Sequence, residues 1–250
     1  MLEILIFGSV FGLIALTRIP LGFVMLLTGT AGIAALHPRG LGAGIAVAEQ
    51  QVVDLATNYH FAVLPLFILM GVFVVQAGLA TDLFEAARRW LGHRPGGVGI
   101  ATILACGGFS AMTSSSSAAA ATMAKIAVPE MDKNNYDKGF SAGTVAAGGT
   151  MGILIPPSGA LIIYGLLIEE GIGKLFVAGM IPGLMQMLLY IAVMAGVAWF
   201  LPAWASAGRR YDLKERMAAL GQVWGVVALF AFVMAGLILG WFTANEAGGI

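Results

Sequence analysis

The chain has 250 residues, 59% hydrophobic and only 10% charged, where soluble domains carry about 25% charged side chains. With a mean hydropathy of +0.92, that balance excludes an aqueous globular fold, and thirteen Lys and Arg against thirteen Asp and Glu exclude a basic nucleic-acid footprint. The one cysteine, Cys106, excludes an internal disulfide or a cysteine-rich metal cluster and reads as a small apolar filler.

About 20 apolar residues are needed to cross ~30 Å of hydrocarbon. The first run, Leu2–Leu16, is short and has only Glu3 before it, with no small-residue cleavage pattern after it. It reads as a membrane helix and not as a signal peptide. Thr17-Arg18 joins it to a second run, Ile19–Leu36, and a polar, helix-compatible stretch follows at Ala48–Tyr59, carrying Gln50, Gln51, Asp54 and Asn58. Phe61–Ala77 is a third span, with an expected interruption at Pro65. Thr81–Leu91 alternates charged and apolar residues and predicts an amphipathic helix along the interface.

Two further runs are broken. Gly96–Val128 carries no charge before Lys125, yet its centre is the serine tract of Thr113-Ser114-Ser115-Ser116-Ser117. Phe140–Ile168 is long enough to span, yet its centre is GGTMGILIPPSG, Gly148–Gly159. Leu175–Leu201 and Val223–Phe242 are ordinary spans, separated by a charged amphipathic connector at Arg209–Arg216.

The basic residues decide between topologies. If Gly96–Val128 enters and leaves on one side, that side holds Arg18, Arg88, Arg89, Arg94, Lys125, Lys133, Lys138, Arg209, Arg210, Lys214 and Arg216, and the other holds only Arg39 and Lys174. A full crossing destroys this bias. The expectation is therefore a re-entrant hairpin with two arms of roughly 12–15 residues, a tip near Thr113–Ser117, and the N-terminus outside.

Irregular backbone at membrane depth must be enclosed by protein or line a wet cavity. At the hairpin tip, carbonyls of the first arm face N–H groups of the second, with serine hydroxyls around both. Carbonyls and hydroxyls suit a desolvated sodium ion, and a helix N-terminus suits a carboxylate. In the second break Gly148, Gly149 and Gly152 permit unwinding, and Pro156-Pro157 leaves carbonyls one turn earlier without donors. The serine tract alone is equally compatible with tight helix packing, and the Gly/Pro break alone with a kink. Together, two discontinuous segments near the midplane point to a secondary transporter's binding site.

GGFSAMTSSSSAAAATMAKIAVPEM and GGTMGILIPPSGALIIYG resemble the large membrane subunit of tripartite ATP-independent periplasmic (TRAP) transporters, in its N-terminal half. RIPLGF at Arg18, VLPLFILMGVFVVQAG at Val63–Gly78, GHRPGGV at Gly92–Val98 and KLFVAGMIPGLM at Lys174–Met185 extend the resemblance over essentially the whole chain. It implies a multi-span bundle with one re-entrant hairpin and one broken helix, the first half of an inverted-repeat, elevator-type sodium symporter of organic anions such as dicarboxylates. It also implies a small four-helix membrane subunit, a periplasmic substrate-binding protein, and a bacterial inner-membrane location. Residues 1–92 are then scaffold-like spans with an interfacial arm, 93–168 the transport-like hairpin and broken helix, and 169–250 further spans.

By position, the resemblance places sodium ligands at Ser114, Ser115, Ser116, Gly149, Gly152 and Ile155, and substrate contacts at Ser116, Ser117, Pro157 and Ser158. No cofactor is expected beyond the coupling sodium. Ser114 stands where the family has Gly, which raises the question of strain at a left-handed tip position. Thr243-Ala244-Asn245-Glu246 resembles the family's Thr-Pro-Thr-Glu with two replacements. The sequence ends at Ile250, near where a second repeat begins, and the expectation is a fragment, a truncated product or one half of a split transporter that does not transport alone.

The remaining constellations carry less. His37, His60 and His93 are far apart in sequence and read as interface residues. Glu169-Glu170 reads as solvated loop charge, with contact to a binding protein as the alternative. Lys125 is expected to snorkel or to pair with Glu130, and the basic residues of Arg88–Arg94 and Arg209–Arg216 are explained by orientation alone. An intramembrane serine hydrolase built on Ser115 lacks a G-x-S-x-G elbow and a base within the spans.

Overall fold

The computed structural model describes residues 8–10, 12, 19–57 and 59–249. Most of Leu2–Leu16, together with Thr17, Arg18 and Asn58, lies outside them. Among the described residues every regular element is helical, as expected of a chain whose backbone groups must be satisfied within each segment. The chain divides into two compact units, Met1–Phe61 and Ala62–Ile250.

The first unit contains α1, Leu21–Leu36, and α2, Leu41–Thr57. Pro20 stands at the N-cap of α1 and His37 ends it in extended conformation. At 16 residues, α1 reaches about 24 Å. Helix α2 begins well before the polar stretch expected from Ala48. Gly44 permits the approach of the pair, because a Cβ there would lie 2.5 Å from the carbonyl oxygen of Thr30.

In the second unit α3, Val63–Gln76, is unbroken at Pro65, contrary to expectation. Pro65 falls in the first turn, where its missing N–H has no intrahelical acceptor to lose. Val63, Phe67, Gly71 and Val74 are buried along one face, while Ile68, Leu69, Val72 and Phe73 are exposed, which suits a helix bathed in lipid. Gly78, at φ 76°, turns the chain into α4, Leu79–Leu91, and the two helices bend by 59°. Helix α4 is amphipathic, with Ala80, Phe84 and Ala86 buried, Asp82 in its first turn and Arg88 and Arg89 in its last, as the helix dipole favours.

The expected helical hairpin is present as α5, Gly97–Thr113, and α6, Ser116–Lys133, joined through Ser114-Ser115. Its arms of 17 and 18 residues are longer than expected, because α6 runs on through Pro129. Helix α5 is buried along almost its whole length and forms the centre of the larger core, with Ile103, Cys106 and Phe109 packed against Met123, Val145, Met151 and Met194.

The second broken segment is α7, Lys138–Thr150, a 3-10 turn at Met151–Ile153, and the short α8, Gly159–Leu167. Asp137 starts α7 by accepting the Phe140 N–H at 2.8 Å. Two long helices follow: α9, Ile172–Phe200, and α10, Leu213–Leu239, whose most apolar 18-residue stretches have mean hydropathies of 1.9 and 2.2. At 29 and 27 residues each is long enough to cross a bilayer. Helix α10 starts ten residues before the expected span and absorbs half of the expected connector, because Asp212 and Glu215 close a capping box that sets its first turn at Leu213. A short α11, Ala244–Gly249, completes the unit. A smaller core joins Phe67, Ile162, Phe176 and Met234, with the rings of Phe67 and Phe176 edge to face at 6.4 Å.

Candidate functional site

The tip of the hairpin is built from two serines with opposite backbone conformations. Ser114 ends α5 in the left-handed region at φ 50°. Its hydroxyl donates to the carbonyl oxygen of Pro157 at 2.9 Å. Ser115 is extended and caps α6, its hydroxyl accepting the Ala118 N–H at 3.3 Å. The first-turn N–H groups of Ser116 and Ser117 have no intrahelical acceptor by helix geometry.

The break between α7 and α8 is ordered by its own polar groups. Thr150 and Met151 hand the helix to a 3-10 turn, and the Leu154 and Ile155 N–H groups both donate to the carbonyl oxygen of Met151. Ser158 caps α8 and donates its hydroxyl to the carbonyl oxygen of Ile153 at 2.6 Å. Of the carbonyls expected to be freed one turn before the prolines, that of Ile153 is therefore taken. The Pro156–Pro157 peptide is cis.

Tip and break meet. A Cβ on Gly149 would lie 2.7 Å from Ala120 Cβ and 3.1 Å from the Ser116 carbonyl oxygen. One on Gly152 would lie 3.2 Å from the Ser116 nitrogen, and one on Gly159 3.3 Å from the Ser114 carbonyl oxygen. Glycine at these positions allows the two irregular segments to touch backbone to backbone. Gly71 performs the same service for α3, where a Cβ would come within 3.1–3.3 Å of Met112 and Thr113 backbone atoms.

Beside this junction lies a cavity of about 820 Å³. Ser114, Ser115, Ser116 and Gly152 line it, along with Thr113, Thr122, Gln76, Gly159 and apolar side chains of α3 and α8. Gly149 sits behind the lining, against Ala120 and Ser116. Pro157 and Ser158 are buried, and their hydrogen bonds to Ser114 and Ile153 lie within the junction. Ser117 is exposed and does not line the cavity. The Ile155 side chain turns the other way, towards Gly107 and Gly183, into a separate apolar cavity of about 300 Å³.

No titratable side chain lines the larger cavity. Its polarity comes from hydroxyls, from Gln76 and from helix ends: α5 and α7 end there, and α6 and α8 begin there. An anion would meet the N-termini of α6 and α8; a desolvated cation would meet hydroxyl and carbonyl oxygens. Thr113, which lines the cavity, has a buried hydroxyl without a hydrogen-bond partner, an oxygen that a sodium ion would satisfy. The residue stands next to the serine tract, and its burial on the first arm is what the sequence pattern does not reveal. Gly71 and Gln76, inside the Val63–Gly78 stretch, are further lining residues that the sequence reading did not assign to the site. Among the described residues no three His, Cys, Asp or Glu side chains gather into a metal site.

Lys125 is exposed, and Glu130 is engaged instead by Arg88 at 2.9 Å and Lys133 at 3.4 Å. Arg88 arrives from α4, which lies alongside the hairpin, and outcompetes a lysine on α6's own exposed side. Glu170 pairs with Lys174 at 3.8 Å.

The family described as "Tripartite ATP-independent periplasmic transporter, DctM component" matches residues 7–250. The C4-dicarboxylate TRAP transporter large permease protein DctM of Pseudomonas aeruginosa is 36% identical over 79% of this chain and 46% of its own length. The 2,3-diketo-L-gulonate TRAP transporter large permease protein YiaN of Escherichia coli is 30% identical over 100% of the chain and 57% of its own length. The sialic acid TRAP transporter large permease protein SiaM of Vibrio cholerae is 30% identical over 97% and 56%. The chain spans about half the length of these curated relatives.

Proposed function

Because the chain belongs to the DctM component family of tripartite ATP-independent periplasmic transporters, a family of transporters and not of enzymes, we propose that it contributes the first binding half of a permease that carries sodium and an organic anion together across the bacterial inner membrane. The observation that carries this reading is the junction of Ser114–Ser116 with Gly149–Ser158 beside a cavity that offers helix N-termini and hydroxyls and no fixed charge.

In this reading sodium is held by the hydroxyls of Ser115 and Ser116 and by carbonyls between Gly149 and Ile155, with Ser114 and Gly152 shaping the shell. The substrate carboxylate lies at the N-terminus of α6, against the N–H groups of Ser116 and Ser117, and at that of α8, where Pro157 and Ser158 fix the approach. The relatives named above are transporters of a C4-dicarboxylate, a diketogulonate and a sialic acid, and a carboxylate is common to all three. The absence of any cavity-lining Arg or Lys among the described residues fits a site that reads one carboxylate through backbone dipoles.

Residues 93–168 then form the moving part of an elevator, with residues 1–92 as scaffold and 169–250 as further spans. A small four-helix subunit and a periplasmic binding protein complete the assembly, and the N-terminus lies outside. The test is uptake by the complete permease with both partners, comparing native protein with Ser115→Ala/Ser116→Ala. Loss of two ligands at ~1 kcal/mol each raises the half-saturating sodium concentration about tenfold or more. An unchanged sodium dependence would sink the assignment.

A further inference from the structure

Basic residues that the sequence scatters over 120 positions come together at one end of the second unit. The loop carrying His93 and Arg94 is tied to the segment before α10 by two backbone hydrogen bonds, Gly208 N–H to Gly92 O at 2.8 Å and Gly96 N–H to Ala205 O at 3.0 Å. The end of α4 is tied to the first turn of α10, Trp90 Nε1 donating to the Arg216 carbonyl oxygen at 3.2 Å. These ties bring the segments that carry Arg94, Arg210 and Arg216 beside the loop of His93, with Arg94 and Arg210 exposed and Arg216 half-buried.

Orientation in the membrane requires only the number of these cations, not their convergence. The nearby carboxylates are committed elsewhere: Glu85 and Glu130 to Arg88, Arg89 and Lys133, Asp212 and Glu215 to the capping box of α10. Among the described residues, Arg94, Arg210 and Arg216 form no ion pair. Two nitrogens in the cluster, His93 Nδ1 and Arg216 Nε, are buried without a hydrogen-bond partner. Burial, followed by repulsion from Arg216, Arg94 and Arg210, holds His93 below its ordinary pKa. The unpaired, buried Arg216 Nε–H in a field of uncompensated positive charge calls for an anion.

We propose that this cluster binds the phosphate of an anionic lipid headgroup. A phosphodiester offers the paired oxygens that guanidinium forks hold. The source is argued from what surrounds the cluster: α10 begins here, and its Leu213 and Met217 are exposed, as is the flank of Trp90. A basic patch at the foot of an apolar, open helix face matches a lipid, whose headgroup and acyl chains are covalently joined. Free inorganic phosphate shares the headgroup's oxyanion chemistry but has no use for the apolar face.

The experiment takes the full permease chain in neutral detergent micelles doped with phosphatidylglycerol or phosphatidylcholine, reading retained lipid by native mass spectrometry and stability by thermal unfolding. The native chain retains phosphatidylglycerol preferentially, and Arg94→Gln/Arg210→Gln weakens that retention roughly thirtyfold while leaving phosphatidylcholine unaffected. Lys125→Gln/Lys138→Gln removes the same charge away from the cluster and keeps the preference. If the glutamine double variant does not fold, Arg94→Lys/Arg210→Lys preserves charge and loses the forks, and it too shows weakened retention. Equal loss in the Lys125/Lys138 control, or an intact preference in both arginine variants, overturns the proposal. A rise in melting temperature with millimolar inorganic phosphate alone, as large as that with phosphatidylglycerol, overturns the lipid as the source.

Discussion

The hydroxyl of Ser114 donates to the carbonyl oxygen of Pro157 at 2.9 Å, across 43 positions of sequence. One side chain thus fastens the hairpin tip to the break that it faces, and it does so from a left-handed residue at φ 50°. A non-glycine residue in that region costs about 1 kcal/mol or more, and one hydrogen bond returns about the same. Ser114→Gly is therefore expected to be close to neutral in thermal unfolding, since strain and bond are lost together. Ser114→Ala keeps the strain without the bond and is expected to lose about 1 kcal/mol. Equal stability of the two variants would contradict this balance.

Gly149 is where tip and break touch most closely. A methyl group there meets Ala120 and the Ser116 backbone at 2.7–3.1 Å, and backbone cannot step aside. Gly149→Ala is expected to destabilise by about 1–3 kcal/mol. Gly143→Ala, one turn and a half earlier on the same helix with nothing within 4 Å, is expected to be neutral or slightly stabilising. Parallel melting curves of the two variants read the difference.

Arg88 bridges three elements, donating to Glu85 at 2.7 Å, Glu130 at 2.9 Å and the Tyr211 hydroxyl at 2.6 Å. Its side chain is 16% exposed and that of Glu130 19%, so removing one partner strands a mostly buried charge. A double-mutant cycle of Arg88→Met and Glu130→Gln is expected to return a coupling of about 1–3 kcal/mol. The cycle of Lys125→Gln with Glu130→Gln is expected to return none.

His93 gives the fold a pH dependence of known sign. Burial and three arginines favour its neutral form in the folded chain, so the unfolded chain takes up a proton more readily below the ordinary value of 6.5. Stability is expected to fall as pH drops through that value, and His93→Gln to flatten the slope. Melting temperatures between pH 8 and pH 5 measure both slopes.

The hairpin was legible because the serine tract Thr113–Ser117 interrupts an apolar run at its centre, and the chain turns back there through Ser114-Ser115. The break was legible because Gly149, Gly152 and Pro156-Pro157 cannot sustain a helical ladder. What stayed hidden depends on neighbours distant in sequence. Pro65 looks like a breaker until its place in a first turn is known, and the partner of Glu130 is chosen by where α4 lies. The burial of Thr113's hydroxyl at the cavity wall, and the convergence of Arg94, Arg210 and Arg216, arise from packing that no local pattern encodes.

Sodium binding at the junction is tested most directly by a cysteine placed in the cavity wall. Thr122 lines the cavity and is part-exposed, and the native Cys106 is fully buried and so shielded from reagent. In the complete permease carrying Thr122→Cys, the rate of maleimide labelling is followed in sodium, potassium and choline salts at equal ionic strength. Sodium alone is expected to slow labelling, with the protection lost in the Ser115→Ala/Ser116→Ala background. Identical rates in all three salts would contradict a sodium site at the hairpin tip.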